Sequence, residues 1–365
     1  MSIVGARPQF IKAAAVSRAI RTEAAGAIDE RLVHTGQHYD DNMSAVFFGE
    51  LDIPAAAYDL KISGGSHGMM TGRMLEAIEA VLIGERPDWV LIYGDTNSTL
   101  AGALAAAKLN IPIAHVEAGL RSFNRRMPEE INRIVTDRLS SLLFCPTDTA
   151  VRNLQAEGIA AGVHNFGDVM YDAALYYRDH VETRSTILRD LNLTARGFAL
   201  ATCHRAENTD DPHRLGEIVA ALGDIAASLP VVLPLHPRTR QAIDDCGLRP
   251  CLGAVTVIDP LPFLDMVALE QAAKVVLTDS GGVQKEAFFY GVPCLTLRSE
   301  TEWIETVTSG ANRLVGASRT AILSAMTTLD APPAPGFDRA APYGNGDAAA
   351  RIVRRLAEAA TSGGS

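Results

Sequence analysis

Short apolar runs alternate with longer stretches of helical periodicity along most of the chain. Ten runs read as strands. The first five are Ser2–Val4, Leu32–His34, Trp89–Tyr93, Ile113–Val116 and Leu142–Cys145. The second five are Phe198–Thr202, Val231–Leu235, Val255–Ile258, Val275–Thr278 and Cys294–Leu297. Their apolar positions are continuous rather than alternating, as in parallel strands covered on both faces. Between them, helical patterns run through Phe10–Glu23, Gly68–Ile83, Ser98–Lys108, Glu129–Leu139 and Leu215–Ala226. Two β-α series predict an α/β chain with two Rossmann-like, doubly wound domains. Such domains take ligands at the carboxyl ends of their strands, so two of them are expected to face a common cleft.

The expected division is 1–168 for the first domain and 169–345 for the second. A Pro-rich stretch, Asp330–Tyr343, precedes a last helix over Ala348–Ala360. A long irregular connection suits a crossover, so 346–365 is expected to pack back on the first domain, with a frayed tail.

Composition narrows the class. A length of 365 residues exceeds one small core. Apolar content of 47% without low-complexity tracts describes a globular chain. Net charge of −10 argues against electrostatic nucleic-acid binding, while leaving room for a local basic pocket. No apolar run is long enough to span a bilayer, and no signal peptide is visible. The five cysteines lack CxxC spacing and read as reduced structural thiols of a cytoplasmic protein. The first strand is very short, so the coding sequence is expected to start a few residues upstream.

The candidate chemistry is concentrated in Tyr93–Arg133. Asp95, Glu117, Glu129 and Glu130 stand at the ends of apolar runs and in the loop that follows. A carboxylate just past a buried strand does not serve the core, and several together suggest proton transfer in a cleft. The first loop, GARPQFIK, pairs a tight turn at Gly5 with a helix N-terminus that favours an anion, and Arg7 and Lys12 add positive charge. It lacks the GxGxxG of a dinucleotide site. In LTDSGGVQKEA, Ser280, Gly281 and Gly282 open a helix and suit a phosphate, and Glu286 one turn on suits ribose hydroxyls. His204, Arg205 and Glu207 follow a buried strand and suit an anionic substrate, with His236 and Arg238 at the next strand end. HTGQHYD offers His34 and His38 without a third ligand, so no metal is expected.

Taken together these motifs resemble the non-hydrolysing UDP-N-acetylglucosamine 2-epimerases. The matching stretches are GARPQFIK, HTGQHYD, GDTNSTLAG, HVEAGLRS, PEEINR, CHRAEN, TDSGGVQKEA and PYGNGDAAARI, in order over nearly the whole chain. The resemblance implies a glycosyltransferase-B-like pair of domains, a homodimer and no cofactor. It implies interconversion of UDP-GlcNAc and UDP-ManNAc for surface polysaccharide precursors. UDP leaves, enzyme-bound 2-acetamidoglucal forms, and UDP adds back. Asp95, Glu117 and Glu129 match the family's active-site carboxylates, and Lys12 and His204 its catalytic-site cations. Arg7, Arg133, Ser280, Gly281, Gly282 and Glu286 match its UDP-binding positions. Domains closing over the substrate are expected.

Two departures from the family pattern bear on specificity and regulation. Activated members hold a second UDP-GlcNAc partly with an Arg-Gln pair before the Thr that opens a helix. Here Met69 and Met70 precede Thr71, although Gln37 and His38 are retained, so weak or absent activation is expected. Many members carry Arg where Trp303 stands. GARPQFIKAA and ETEWIE look more like the branch acting on UDP-2,3-diacetamido-2,3-dideoxyglucuronate, whose C6 carboxylate Arg125 and Arg126 would meet. The rival readings are a UDP-sugar-dependent glycosyltransferase, a hydrolysing epimerase and a non-catalytic nucleotide-sugar sensor.

Overall fold

The structure is a computed structural model that describes residues 1–37, 50–329 and 342–362. His38 and residues 330–341 of the Pro-rich stretch lie outside the described residues. The chain divides into two compact units, Met1–Leu175 with Ala340–Ser365, and Tyr176–Arg339.

The first unit is built on seven strands among the described residues: β1 (Ser2–Val4), β2 (Leu32–His34), β3 (Tyr58–Asp59), β4 (Val90–Tyr93), β5 (Ile113–Val116), β6 (Leu142–Cys145) and β7 (Val163–Asn165). They are ordered β3-β2-β1-β4-β5-β6-β7 and every neighbouring pair is parallel. Helices α1 (Arg7–Glu23), α2 (His67–Glu85), α3 (Asn97–Lys108), α4 (Pro128–Leu139) and α5 (Asp148–Ala156) join them, and α6 (Val169–Arg184) starts in this unit and continues past Leu175 into the second. Ile3, Val33, Val90 and Ile92 pack on Met74, Ile78 and Leu82 of α2 and on the alanines of α3. Those alanines allow α3 to lie close to the sheet.

In the second unit, α7 (Ile187–Asp190) leads into β8 (Ala199–Thr202). The other strands are β9 (Val231–Pro234), β10 (Thr256–Ile258), β11 (Val275–Thr278), β12 (Cys294–Thr296) and β13 (Asn312–Leu314), ordered β10-β9-β8-β11-β12-β13 and all parallel. Helices α8 (Ala206–Thr209), α9 (Pro212–Ala226), α10 (Pro237–Asp245), α11 (Phe263–Ala272), α12 (Gly281–Phe289), α13 (Ile304–Thr308) and α14 (Arg319–Met326) complete it. Ala199, Ala201, Val275 and Leu277 enter one core cluster, and Phe198, Leu200 and Val276 the other. Successive side chains serve opposite faces, which is why both faces need apolar residues.

Three strands escaped the sequence reading: β3, β7 and β13. Each has two or three residues, lies at a sheet edge and mixes polar with apolar side chains. Helices begin one to three residues before the expected positions, because Pro8, Pro128 and Pro212 occupy the first turn ahead of the first apolar residue. The last helix, α15 (Ala348–Ser362), belongs to the first unit. It packs against α1, where Arg354 pairs with Glu23 at 2.7 Å.

Candidate active site

Both sheets share the strand order in which the connections reverse between the first and fourth strands of the series. Ligands of open α/β sheets bind at that switch point. In the first unit the switch lies between β1 and β4, and in the second between β8 and β11.

Three loops meet at the first switch. Gly5 follows β1, and a Cβ there would stand 2.0 Å from Thr35 Oγ1 and 2.3 Å from Ser98 Oγ, so only glycine fits. Gln9 is buried, and its Oε1 accepts the N–H groups of Gly5 (2.8 Å) and Ala6 (3.1 Å). Its Nε2 donates to the Tyr93 carbonyl at 2.8 Å and Thr99 Oγ1 at 2.9 Å. One side chain thereby ties α1, β4 and α3 together. Lys12, on the next turn of α1 after Gln9, forms a buried ion pair with Glu117. Glu117 directly follows β5 and has φ +72, a left-handed conformation that costs a non-glycine residue about 1–2 kcal/mol.

Asp95 follows β4 and is half-buried. Its Oδ2 accepts from Arg133 Nε at 3.0 Å, and its carbonyl from Asn132 Nδ2 at 2.8 Å. Arg133 also donates to Glu130 at 2.7 Å. Glu130, at the end of the same stretch, does not join the three candidate carboxylates. It is 1% exposed and accepts Ser122 N–H and Phe123 N–H, both at 2.9 Å. It anchors the loop before α4 because those backbone donors and the guanidinium need an acceptor. Glu129, its neighbour in the first turn of α4, is half-buried. Arg125 and Arg126 are exposed on the anchored loop, whose Asn124 side chain caps Arg126 N–H at 3.1 Å. Arg7 is half-buried in the first turn of α1.

Behind this cluster lies a buried network that sequence reasoning missed. His115, in the middle of β5, meets the Gly94 carbonyl through Nε2 and Asp137 through Nδ1, each at 2.7 Å. Burial opposes ionisation of Asp137, yet bonds from His115 and then Arg121 outweigh it and hold the carboxyl below its ordinary value. The available signal was a histidine centred in a continuous apolar strand, where both ring nitrogens need partners.

At the second switch, Thr278 and Thr202 are in register on adjacent strands, and their hydroxyls are 2.6 Å apart. Ser280 caps α12 by accepting Val283 N–H at 3.5 Å. Gly281 and Gly282 form the first turn, and Glu286 lies one turn on, 8% exposed. A Cβ on Gly281 would stand 3.4 Å from Trp303 Nε1, so Trp303 backs this turn. Lys285 Nζ lies 3.8 Å over the Trp303 ring. Asp279, fully buried, accepts the N–H groups of His204 and Arg205 at 3.0 Å. His236 is exposed and caps α10 by accepting Arg238 N–H at 3.3 Å. Lys12, Asp95, Glu117 and Arg133 thus cluster in the first unit, and His204 with Ser280–Gly282 in the second.

Gln37 accepts from Ser98 N–H at 3.0 Å and Oγ at 2.8 Å. His34 is buried and faces Asp59 at 3.2 Å. Among the described residues no group of three or more His, Cys, Asp or Glu side chains is placed to hold a metal ion. None of the described helices is long and apolar enough to cross a membrane.

The profile of the family described as UDP-N-acetylglucosamine 2-epimerase matches residues 20–357. The chain belongs to this family. It is 56% identical over 364 residues to the UDP-2,3-diacetamido-2,3-dideoxy-D-glucuronate 2-epimerase of Pseudomonas aeruginosa, covering 98% of this chain and 99% of the relative. It is 42% identical over 366 residues to the UDP-N-acetylglucosamine 2-epimerase of Methanocaldococcus jannaschii, covering 97% of each. The crystal structure of the M. jannaschii UDP-GlcNAc 2-epimerase in complex with UDP-GlcNAc and UDP superposes with a TM-score of 0.88, at 42% identity and 98% coverage of both chains. The UDP-GlcNAc-bound enzyme of Neisseria meningitidis gives 0.88 at 31% identity, covering 98% of this chain and 99% of that one. The chain is therefore an isomerase of the UDP-sugar 2-epimerase family, with the α/β, glycosyltransferase-B-like fold of its relatives.

Proposed function

We propose that the chain inverts C2 of a UDP-2-acetamido sugar by elimination and re-addition of UDP. The observation that carries this reading is the buried Lys12–Glu117 pair beside the Asp95–Arg133 pair. The C2 proton is not adjacent to a carbonyl, so no simple enolate forms. A carboxylate among Asp95, Glu117 and Glu129 takes that proton. The C2–H electron pair becomes the C1=C2 bond, and the C1–O bond breaks with its pair going to UDP. The bound glycal then gains a proton at the opposite face of C2 as a phosphate oxygen adds to C1. Proton carriers for both faces and preorganised donors for the leaving diphosphate are the chemical requirements. Lys12 and His204 serve as the catalytic-site cations. Arg7, Arg133, His236 and the Ser280–Gly281–Gly282 turn hold the diphosphate, and Glu286 takes the ribose hydroxyls.

For the substrate we infer UDP-2,3-diacetamido-2,3-dideoxyglucuronate. Its support is the name of the 56% identical relative, Trp303 in place of Arg, and Arg125 and Arg126 exposed on an anchored loop. The second reading, UDP-GlcNAc to UDP-ManNAc, is favoured by the relatives of that name. We further propose that the chain works in the cytoplasm as a homodimer and supplies surface polysaccharide synthesis.

Each UDP-sugar incubated alone in D2O tests the reading. Deuterium is expected at C2 together with the manno epimer, without any acceptor. A chain that retains the C2 proton until an acceptor is added is a glycosyltransferase, and one that accumulates free UDP without limit is a hydrolysing epimerase.

A further inference from the structure

Asp279 stands between β11 and the Ser280–Gly282 turn, and everything around it donates. Its Oδ2 accepts His204 N–H at 3.0 Å, Arg205 N–H at 3.0 Å and Asn208 Nδ2 at 3.1 Å. Burial holds the Cys203 thiol protonated, well above its ordinary range, with the Asp279 charge adding to that effect. The more lightly engaged oxygen, Oδ1, accepts His204 N–H at 3.1 Å and faces the His204 ring at Nδ1, 3.5 Å away. A carboxylate ringed by donors accepts only. The nitrogen facing it therefore carries a proton. Asn208, fully buried, locks the arrangement by also donating to the Leu297 carbonyl at 3.0 Å.

We infer that Asp279 is the positioning residue for His204: it holds the imidazole with Nδ1–H turned toward its own carboxylate, so that Nε2 is the nitrogen that takes up or gives a proton. The same carboxylate ties the His204 loop to the turn that begins at Ser280. Two loops that follow different strands are thereby fixed to one buried point. At 3.5 Å the contact is long, and hydrogen bonds that position catalytic groups tighten in the complex with substrate. This inference rests on the epimerase reading for its kinetic consequence, but not for its tautomer.

The test is a two-bond proton–nitrogen correlation on the full chain labelled at histidine nitrogen, at a pH where the ring is neutral. The His204 signal is identified by its loss in His204→Gln. A protonated Nδ1 and a bare Nε2 are expected. The opposite tautomer overturns the inference. Asp279→Asn places an amide donor against the donors of the loop, and it is expected to lose the Nδ1–H preference. It is also expected to lower kcat about 100-fold or more while KM changes much less. A folded Asp279→Asn with unchanged kcat and unchanged tautomer also overturns it. If that variant does not fold, the wild-type tautomer alone decides. If no UDP-sugar is epimerised although Nδ1 is protonated, the proposed function falls and the positioning role stands.

Discussion

Lys12 and Glu117 form an ion pair in which neither partner reaches far into solvent, with side chains 8% and 6% exposed. Gly94 closes one side: a Cβ there would stand 3.1 Å from Lys12 Nζ and 3.2 Å from Glu117 Oε2. Two charges buried together stabilise each other, and removing one is costly because the other keeps its desolvation penalty. Lys12→Met is expected to lower the free energy of unfolding by about 3–5 kcal/mol. The double variant Lys12→Met/Glu117→Gln is expected to regain most of that and to remain inactive. Denaturant titration with a turnover assay checks both. A double variant as unstable as the single one would show that the loss is not an orphaned charge.

Asp172 ties the last helix to the first unit by accepting the N–H groups of Ala348 (3.3 Å) and Ala349 (2.7 Å). Burial raises its carboxyl from the ordinary 3.8 to about 6, against the pull of those two N–H groups, and Asp168 and Asp347 add to the rise. The sign follows from proton linkage. Between about pH 4 and 6 the folded chain binds the proton more tightly than the unfolded chain, so this group's contribution to stability falls as pH rises and is level above. Discounted for partial exposure, the change across the window is about 1–2 kcal/mol. Thermal melts of the wild type and Asp172→Asn should diverge across that window and run parallel above pH 7. A difference independent of pH would remove Asp172 as the source.

Such features divide what the sequence discloses from what it does not. β4 and β5 are legible because four consecutive buried residues leave an apolar run, and Asp95 and Glu117 because each breaks the pattern just after one. The roles of Gly94 and Glu130 were not legible, because they depend on where other segments arrive. Gly94 is constrained by α1 and by the residue after β5, and Glu130 by backbone donors of the preceding loop. The role of Asp279 was not legible either, since its donors lie 71 to 75 residues earlier in the chain. The edge strands β3, β7 and β13 were missed for want of burial on both faces.

Gln37 bonds to Ser98 at the start of α3, alongside the Thr96 cap, whose side chain accepts Thr99 N–H. With that side chain engaged in the first unit, and Met69 and Met70 in place of an Arg-Gln pair, rate curves in UDP-sugar are expected to be hyperbolic. Gln37→Ala should cost about 1 kcal/mol of stability, the typical worth of a helix cap, and leave the shape of the curve unchanged. Strongly sigmoidal kinetics abolished by Gln37→Ala would establish a second, activating site and sink this expectation.

Arg125 and Arg126 share a loop whose shape is set by Glu130, so their side chains are changed without disturbing the anchors at Ser122 and Phe123. An exposed guanidinium that meets a sugar carboxylate contributes through a charge-assisted bond of about 1.5–3 kcal/mol, whereas a neutral hydroxymethyl at C6 offers it nothing comparable. Arg125→Ala and Arg126→Ala are therefore expected to lower kcat/KM for UDP-2,3-diacetamido-2,3-dideoxyglucuronate by about 10- to 100-fold, following from that energy. The value for UDP-GlcNAc should change by less than about threefold. Measuring both substrates on both variants separates recognition from folding, since damage to the loop itself would depress the two alike. Equal losses on the two sugars would assign the arginines to the solvated surface and return the substrate question to UDP-GlcNAc.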